Sequence, residues 1–522
     1  MISNRKRKIS GAMTLAIVSV GLCGTAFTAK SDTVYYSQFG AKGDGKTCDI
    51  DAIAKAHAYA NKHGFPVKAD DNATYYISGK DRTVFIQTDT DFGTAAFIID
   101  DTNVENRQNH VFQVDSKLQS FTPQGISSLK RNQKKLDISL PGPCLITVTD
   151  SKVKHYIRMG LNQNDGKAQT DTFIVDKDGN VDMDAPIIWD FDQITDILAR
   201  PVDETTLTIS GGRFTTIANA AESKYTYYNR GITIKRSNVI VDGLEHRVTG
   251  EGKQGAPYMG FISVGQCAYV TVKNSIFTGR KTYKTIGSAG KPVSMGSYDI
   301  HVHRALNVSF VNCRQTNDIN DSKFWGVMAS NYSKNLVYDN CILSRFDAHM
   351  GVANATIRNS TLGHQGINLI GSGTFTIKGS TVNARHFIYL RADYGSTWQG
   401  EFIIRNCVFV PAAGTYPINA SIIGGHYSGQ HNFGYTCYMP ERIVIDKLRI
   451  DDSNHPEKYN GPAIFANFNL DRTDAAYVEK FPYFITREVQ LKNISTASGK
   501  PLRLSDNKFM FRNVKVITRG GK

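Results

Sequence analysis

Short β-type segments recur through the second half of the chain, and each ends in a turn at asparagine or glycine. The segments read NVIVDGL, YVTVKNS, NVSFVNC, NLVYDNC, NATIRNS, TFTIKGS and EFIIRNC. Their turn residues are Gly243, Asn274, Asn312, Asn340, Asn359, Gly379 and Asn406. Alternating segments at an imperfect period in the twenties are typical of a parallel β-helix. Asparagine and glycine both tolerate the left-handed backbone that such turns need.

The repeat also explains the cysteines. The residue after each turn is small, which predicts one interior column made of Ser275, Cys313, Cys341, Ser360, Ser380 and Cys407. The chain has 8 cysteines, and without Cys23 an odd number remains, with no CxxC pair. This pattern argues against a disulfide scaffold or a zinc site. We interpret the column cysteines as small buried packing residues.

The N-terminal part carries a second signature. The segment FGAKGDGKTCDIDAIAKA, residues 39–56, predicts a glycine-rich turn followed by an amphipathic helix. It resembles the opening motif of the pectate-lyase-like superfamily. The resemblance implies an all-β, right-handed parallel β-helix with an N-terminal capping helix. That superfamily includes polysaccharide lyases, polygalacturonase-type hydrolases and phage depolymerases.

The first residues predict export. Arg5, Lys6, Arg7 and Lys8 precede an apolar run at about 12–29 that is too short to span a membrane. We therefore predict a signal peptide at 1–29, and a periplasmic or secreted protein that is a monomer without a membrane span. Lipidation at Cys23 is the alternative. The domain prediction is a cap and β-rich elaboration at 30–205, followed by the β-helix at 206–522.

The charge balance indicates the class of partner. The chain has a formal net charge of +14, and four of those positive charges lie in the predicted signal peptide. A basic exported protein favours an acidic partner. Nucleic acid is a poor candidate because the chain has no basic arm interleaved with aromatic residues. We therefore expect an anionic polysaccharide.

A row of chemically active side chains follows the strands before the turns. Alternation in FISV, DIHVH, GVMAS, DAHM, INLI and IYLR puts apolar residues inward, and it puts Asp299, His301, His303, Met328, Asp347, His349, Asn368, Tyr389 and Arg391 outward. The loops after these strands add Arg345, His364, Asp393, Tyr394 and Trp398. Trp398 is either a platform for a sugar ring or a loop anchor. Because neighbouring coils stack about 4.8 Å apart, we predict one polysaccharide-sized groove.

Two enzymatic mechanisms fit a groove on this fold. A hydrolase needs a pair of carboxylates flanking the glycosidic bond, and this row of side chains offers only single aspartates. A lyase needs a base, an acid and a group that neutralises the uronate carboxylate. We assign His301 or His349 as the base and Tyr389 or Tyr394 as the acid. Substrate binding is assigned to His303, Arg345, Asp347, His364, Asp393, Tyr394 and Trp398. Asn368 and Arg391 suit the carboxylate.

The hypothesis is a lyase for chondroitin sulfate, dermatan sulfate or hyaluronan. Sulfated polymers of this kind bind best to a basic groove, and the chain as a whole resembles β-helix chondroitin-sulfate lyases. The alternatives are a polygalacturonase-type hydrolase and a non-catalytic binding module of the tail-spike or adhesin kind. No organic cofactor is expected. Asp299 and Asp347 could form a partial calcium site, since calcium prefers oxygen ligands.

Overall fold

The chain is built almost entirely from short strands. The computed structural model describes residues 32–104, 106–224, 227–411 and 420–519, and within these ranges there is one α-helix, α1 (Ile50–His63). The predicted signal peptide at 1–29 lies outside the described residues. No helix in the described part of the chain is long and apolar enough to cross a membrane.

The strands follow one another with few breaks. The first part of the chain contains β1 Val34–Tyr35, β2 Asp44–Cys48, β3 Val67–Lys68, β4 Thr74–Ile77, β5 Val84–Ile86, β6 Thr90–Asp100, β7 Phe112–Val114, β8 Cys144–His155, β9 Lys167–Val175, β10 Asp196–Pro201, β11 Leu207–Ile217, β12 Ile232–Ile234, β13 Val239–Asp242 and β14 Glu245–Thr249. The middle contains β15 Ile262–Gly265, β16 Ala268–Lys273, β17 Ile276–Phe277, β18 Arg280–Lys281, β19 Tyr283–Ile286, β20 Pro292–Met295, β21 Ile300–His303, β22 Leu306–Val311, β23 Arg314–Gln315, β24 Phe324–Gly326, β25 Met328–Asp339, β26 Ile342–Arg358, β27 Thr361–Leu369, β28 Gly371–Lys378, β29 Thr381–Ala384, β30 His386–Leu390 and β31 Trp398–Pro411. The last part contains β32 Ser421–Gly424, β33 Cys437–Tyr438, β34 Arg442–Ile450, β35 Ala463–Phe465, β36 Tyr483–Phe484, β37 Glu488–Thr496, β38 Arg503–Ser505 and β39 Lys515–Arg519.

Parallel pairing stacks these strands into coils with three faces. The first face contains β1, β3, β6, β11, β13, β16, β22, β25, β26, β28, β31, β34, β37 and β39. The second contains β2, β4, β14, β17, β23, β27 and β29, together with parts of the longer strands. The third contains β5, β7, β12, β15, β21, β25, β26, β27, β30, β32, β35 and β38. The predicted parallel β-helix is confirmed.

The predicted turns have the backbone conformation that the repeat requires. All seven turn residues have positive φ, from 51° at Asn274 to 72° at Gly243. Neighbouring turn asparagines also bond to each other: Asn312 Nδ2 donates to Asn274 Oδ1 at 2.8 Å, and Asn340 Nδ2 donates to Asn312 Oδ1 at 3.2 Å. The asparagines therefore satisfy the turn geometry and tie successive coils together.

The column after the turns is also confirmed. Ser275, Cys313, Cys341, Ser360, Ser380 and Cys407 are all buried. Backbone hydrogen bonds link successive members, such as Ile342 N to Cys313 O and Thr361 N to Cys341 O. The column cysteines are free thiols that pack inside the coils.

α1 packs on the first coils. Its residues Ile53, Ala56 and Ala60 are buried in the main core. The helix ends at His63, and Gly64 follows it with a φ of 74° and donates its backbone N–H to Ala60 O. Its function as the cap of an open end stays a prediction.

An inserted segment separates β7 from β11. Strands β8, β9 and β10 form an antiparallel sheet with an apolar core of its own. The buried Lys334 Nζ, on β25, lies 2.8 Å from Asp171 Oδ1 of the insert. Strands β6 and β7 pair with β11 and β12 of the later coils, and the division at 205/206 stays a prediction.

Candidate functional site

The outer side of the third face carries a groove of about 920 Å³. The insert contributes residues 158–162, Asn164 and Lys167 to its lining, and the β19–β20 hairpin contributes Lys284 and residues 292–294. The hairpin and the insert contact each other, since Ser288 Oγ donates to Gln163 O at 2.6 Å and Ala289 N donates to Leu161 O at 3.2 Å. The groove is therefore bounded by the coils, the insert and the hairpin together.

Most of the side chains singled out from the sequence meet in this groove. Its lining includes His301, Arg345, His349, Asn368, Tyr389, Arg391, Asp393 and Tyr394. Strand register explains the stacking, because Asp347 pairs with Asn368 and Asn368 pairs with Tyr389 on successive coils. The predicted groove is thus present, although not every residue assigned to it lies there.

Two assignments are wrong because the residues are buried. Asp299 precedes β21 at a corner of the coil, where it is 0% exposed and bonds His246 Nδ1 at 2.8 Å. Its side chain turns into the coil, because the strand alternation begins only at Ile300. Trp398 is also 0% exposed and donates Nε1–H to Gly373 O at 2.9 Å. It is a core residue and not a platform for a sugar ring.

Three other predicted residues lie beside or beneath the groove lining. His303 packs against Tyr332 with ring centroids 5.7 Å apart. His364 lies with Nδ1 3.0 Å from Ile319 O. Asp347 is fully buried between two arginines. The outward assignment of Met328 is also wrong, because Met328 packs in the core and its neighbour Ala329 lines the groove.

Five charges of alternating sign form a row at the floor of the groove. Asp347 lies 2.6 Å from Arg345 Nη2 and 2.9 Å from Arg391 Nη1. Asp393 lies 2.8 Å from Arg391 Nη2 and 2.8 Å from Arg158 Nη2. Burial alone would raise the pKa of each carboxyl, but the adjacent guanidinium groups hold both pKa values below their usual range. The row therefore carries a net charge of +1.

The whole groove is basic. Among the described residues that line it, Asp393 is the sole carboxylate, whereas Arg158, Lys167, Lys284, Arg345 and Arg391 are cations. Lys167 and Lys284 are exposed. Such a lining attracts an anionic ligand. It does not offer a free pair of carboxylates.

The same bonding leaves no place for the calcium site considered from the sequence. Asp299 is bound to His246 and lies 3.3 Å from Arg280 Nε, and Asp347 is held by its two arginines. Across the described ranges, no group of three or more His, Cys, Asp or Glu side chains is arranged to hold a metal ion. The two carboxylates therefore serve as counter-ions of protein cations.

The histidines and tyrosines of the groove are held in their neutral forms. Burial lowers the pKa of His301 to about 4 and that of His349 to about 3. Burial raises the pKa of Tyr394 to about 12, and it also raises the pKa of Tyr389. At neutral pH the imidazoles can accept a proton and the phenols can donate one. The groove thus combines neutral bases, neutral acids and fixed positive charge.

Several lining residues were not predicted from the sequence. Asn331 lies two residues beyond Ala329 on the same strand, so continued alternation would have placed it in the groove. Arg158 and Lys167 come from the insert, and no periodic pattern connects them with the coils. Trp325 and Gln365 lie in the segments before the strands of the ladder.

The comparisons identify a fold and not a family. No family model matches the chain, and no curated protein matches it. Among solved structures, the chain is similar to the tailspike gp61 of Pseudomonas phage phi297, with 12% identity, a TM-score of 0.52, and 89% and 80% of the two chains covered. At this identity the likeness shows a shared parallel β-helix fold.

Two weaker likenesses have TM-scores below 0.5. The gp54 tailspike of Acinetobacter baumannii bacteriophage AP22, in complex with a capsular saccharide, has a TM-score of 0.47 at 10% identity over 90% and 74% of the two chains. The mannuronan C-5 epimerase AlgE6 A-module of Azotobacter vinelandii has 0.42 at 10% identity over 94% and 99%. The class of this chain, the parallel β-helix proteins, rests on its own strand pairing and on the likeness to gp61.

Proposed function

We propose that this protein is a lyase that cleaves a uronate-containing anionic polysaccharide by β-elimination in the groove. Chondroitin sulfate, dermatan sulfate and hyaluronan are the proposed substrates. The observation that carries the proposal is the composition of the groove, where neutral histidines and tyrosines stand among five cations and one carboxylate. Each part of the elimination has a counterpart in this set.

The reaction begins at C5 of the uronate. A histidine accepts the C5 proton, the electron pair left behind forms the C4–C5 double bond, and the bond from C4 to the glycosidic oxygen breaks. Tyr389 or Tyr394 gives a proton to the departing oxygen. Asn368 and the arginine row stabilise the carboxylate, on which negative charge develops as the proton leaves.

Hydrolysis fits the side chains of this groove less well than elimination. An inverting or retaining hydrolase of the usual kind needs two carboxyl groups on opposite sides of the bond. Asp393 already accepts from Arg391 and Arg158, and Asp347 is buried beneath the lining. Neither carboxyl is positioned as a general acid, because guanidinium neighbours keep both ionised.

The test is a digestion panel of chondroitin sulfate, dermatan sulfate, hyaluronan and a neutral glucan. A lyase produces the ultraviolet absorbance of an unsaturated uronate in step with new chain ends. New reducing ends without that absorbance would indicate a hydrolase. Binding of the acidic polymers without any product would indicate a binding module and would refute the lyase proposal.

A further inference from the structure

Asn331 connects the two candidate histidines. Its Nδ2 lies 3.4 Å from His301 Nε2, and its Oδ1 lies 3.0 Å from His349 Nδ1. An amide nitrogen only donates a hydrogen bond and an amide oxygen only accepts one. His301 Nε2 is therefore an acceptor, and His349 Nδ1 carries a hydrogen.

We infer that His349 is the catalytic base, acting through its Nε2 lone pair, and that Asn331 is a positioning residue that holds it in this tautomer. The inference rests on the proposed lyase function and deepens it. In the neutral ring, a hydrogen on Nδ1 leaves Nε2 with the lone pair. Because His349 lines the groove and its Nδ1 is engaged by Asn331, Nε2 is the ring nitrogen left to meet a bound uronate.

The lone pair of His301 is already engaged in a hydrogen bond. The Nε2 atom that would accept a proton already receives the Asn331 amide, and Nδ1 lies 3.4 Å from Ser263 Oγ. The residue is 8% exposed. Proton uptake at His301 would break its bond from Asn331, whereas proton uptake at His349 Nε2 leaves the Asn331 bond intact.

Strand geometry gives His349 its special position. Ser330 of β25 pairs with Ala348 of β26, but the next residue, Asn331, pairs with Met350. His349 is therefore the extra residue of a β-bulge. Bulges re-aim a side chain relative to the regular alternation and are common beside active sites. The bulge sets the His349 ring beside Asn331.

The surroundings of His349 favour the neutral ring. Tyr394 packs edge-on against it, with ring centroids 5.4 Å apart. Burial is the largest cause of the lowered pKa of His349, and Arg391 and Arg158 lower that pKa further. The Asp347 and Asp393 carboxylates oppose the shift. The neutral amide of Asn331 adds no net charge. An aspartate at this position would stabilise the imidazolium and raise the pKa of His349.

The first test reads the tautomer without any substrate. Long-range nitrogen–hydrogen correlation spectra of the whole protein with isotope-labelled histidine distinguish Nδ1–H from Nε2–H rings. Signals are assigned by their loss in His349→Gln and His301→Gln. We expect Nδ1–H rings for both residues. An Nε2–H ring at His349 would overturn the inference.

The second test is kinetic. His349→Gln should lose about 10²–10⁴-fold in kcat, and His301→Gln should lose less than about tenfold. Asn331→Asp should move the acidic limb of the kcat profile upward by at least about one pH unit, since the added charge stabilises the imidazolium. His63→Gln, at the exposed end of α1 and outside the groove lining, is the control and should keep the wild-type profile.

Kinetics contradict the inference if His301→Gln is the more damaging change, or if Asn331→Asp leaves the acidic limb in place. Wild-type protein that cleaves none of the acidic polymers would refute the lyase function and the base assignment with it. The tautomer spectrum separately supports or refutes the role of Asn331 as the residue that orients His349.

Discussion

Buried histidines make this protein sensitive to mild acid. Burial lowers the pKa of seven histidines to about 3 or about 4, and these are His57, His110, His155, His301, His303, His349 and His386. In the unfolded chain each has a pKa near 6.5. Between about pH 6.5 and pH 4 the unfolded state therefore binds more protons, and the free energy of unfolding falls as the pH falls.

The size of the effect follows from the same pKa values. At about pH 5 each histidine contributes a loss of about 2 kcal/mol, since one pKa unit corresponds to about 1.36 kcal/mol. The seven together give a loss of about 14 kcal/mol, which is comparable with the whole stability of a typical protein. Glu251 and Glu479, whose pKa values burial raises, offset part of this loss.

Urea unfolding followed by circular dichroism between about pH 7.5 and pH 5 measures the loss. We expect the unfolding midpoint to fall steeply across this range. The control is His303→Gln, which removes one titrating ring and should recover about 2 kcal/mol of the acid-dependent loss at about pH 5. A free energy of unfolding that changes by less than about 3 kcal/mol over the range would refute the reasoning.

Three further substitutions test the anchoring of the insert, the coil register and the basic groove. Lys334→Met leaves the Asp171 carboxylate buried without its cation and should lower the free energy of unfolding in urea by about 3–5 kcal/mol. Addition of Asp171→Asn should recover most of that loss. An unchanged midpoint in the single variant would show that the Lys334–Asp171 pair does not anchor the insert. Cys341→Asp buries a charge in the interior column and should abolish soluble expression. Cys341→Ser matches the serines of that column and should express and melt normally. Normal melting of the aspartate variant would disprove the coil register. Lys284→Gln should raise KM for an acidic polymer about 3- to 10-fold and weaken the salt dependence of KM. Lys281→Gln, outside the groove lining, should change neither KM nor its salt dependence. The same change in KM for both variants would mean that the charge of the groove does not bind the substrate.

The coil turns could be predicted from the sequence because a local backbone requirement determines them. A left-handed residue at each turn selects asparagine or glycine, so Asn312, Asn340 and the others are visible in the sequence itself. The serine and cysteine column follows from the same register. The turns and the column depend only on residues close in the chain and on the repeat, and a single sequence contains both kinds of information.

The groove was less predictable where the chain departs from regular alternation. Asp299 lies at a corner before β21, and Trp398 begins a strand with its ring inside the coil. Alternation placed His349 in the groove correctly, but the bulge that sets its ring beside Asn331 has no sequence pattern. Arg158 arrives from an insert whose folding onto the coils depends on long-range packing. Alternation alone therefore found the strands of the site but misassigned several of its members.

β-Elimination in the groove is tested most directly by the products that form from uronate polymers. Wild-type protein is incubated with chondroitin sulfate, dermatan sulfate and hyaluronan, and the ultraviolet absorbance of the products is followed together with the number of new reducing ends. We predict that absorbance and reducing ends rise in equal molar amounts with at least one of these polymers, and that His349→Gln removes both signals. Reducing ends without absorbance, or no product from any uronate polymer, would contradict the proposed lyase.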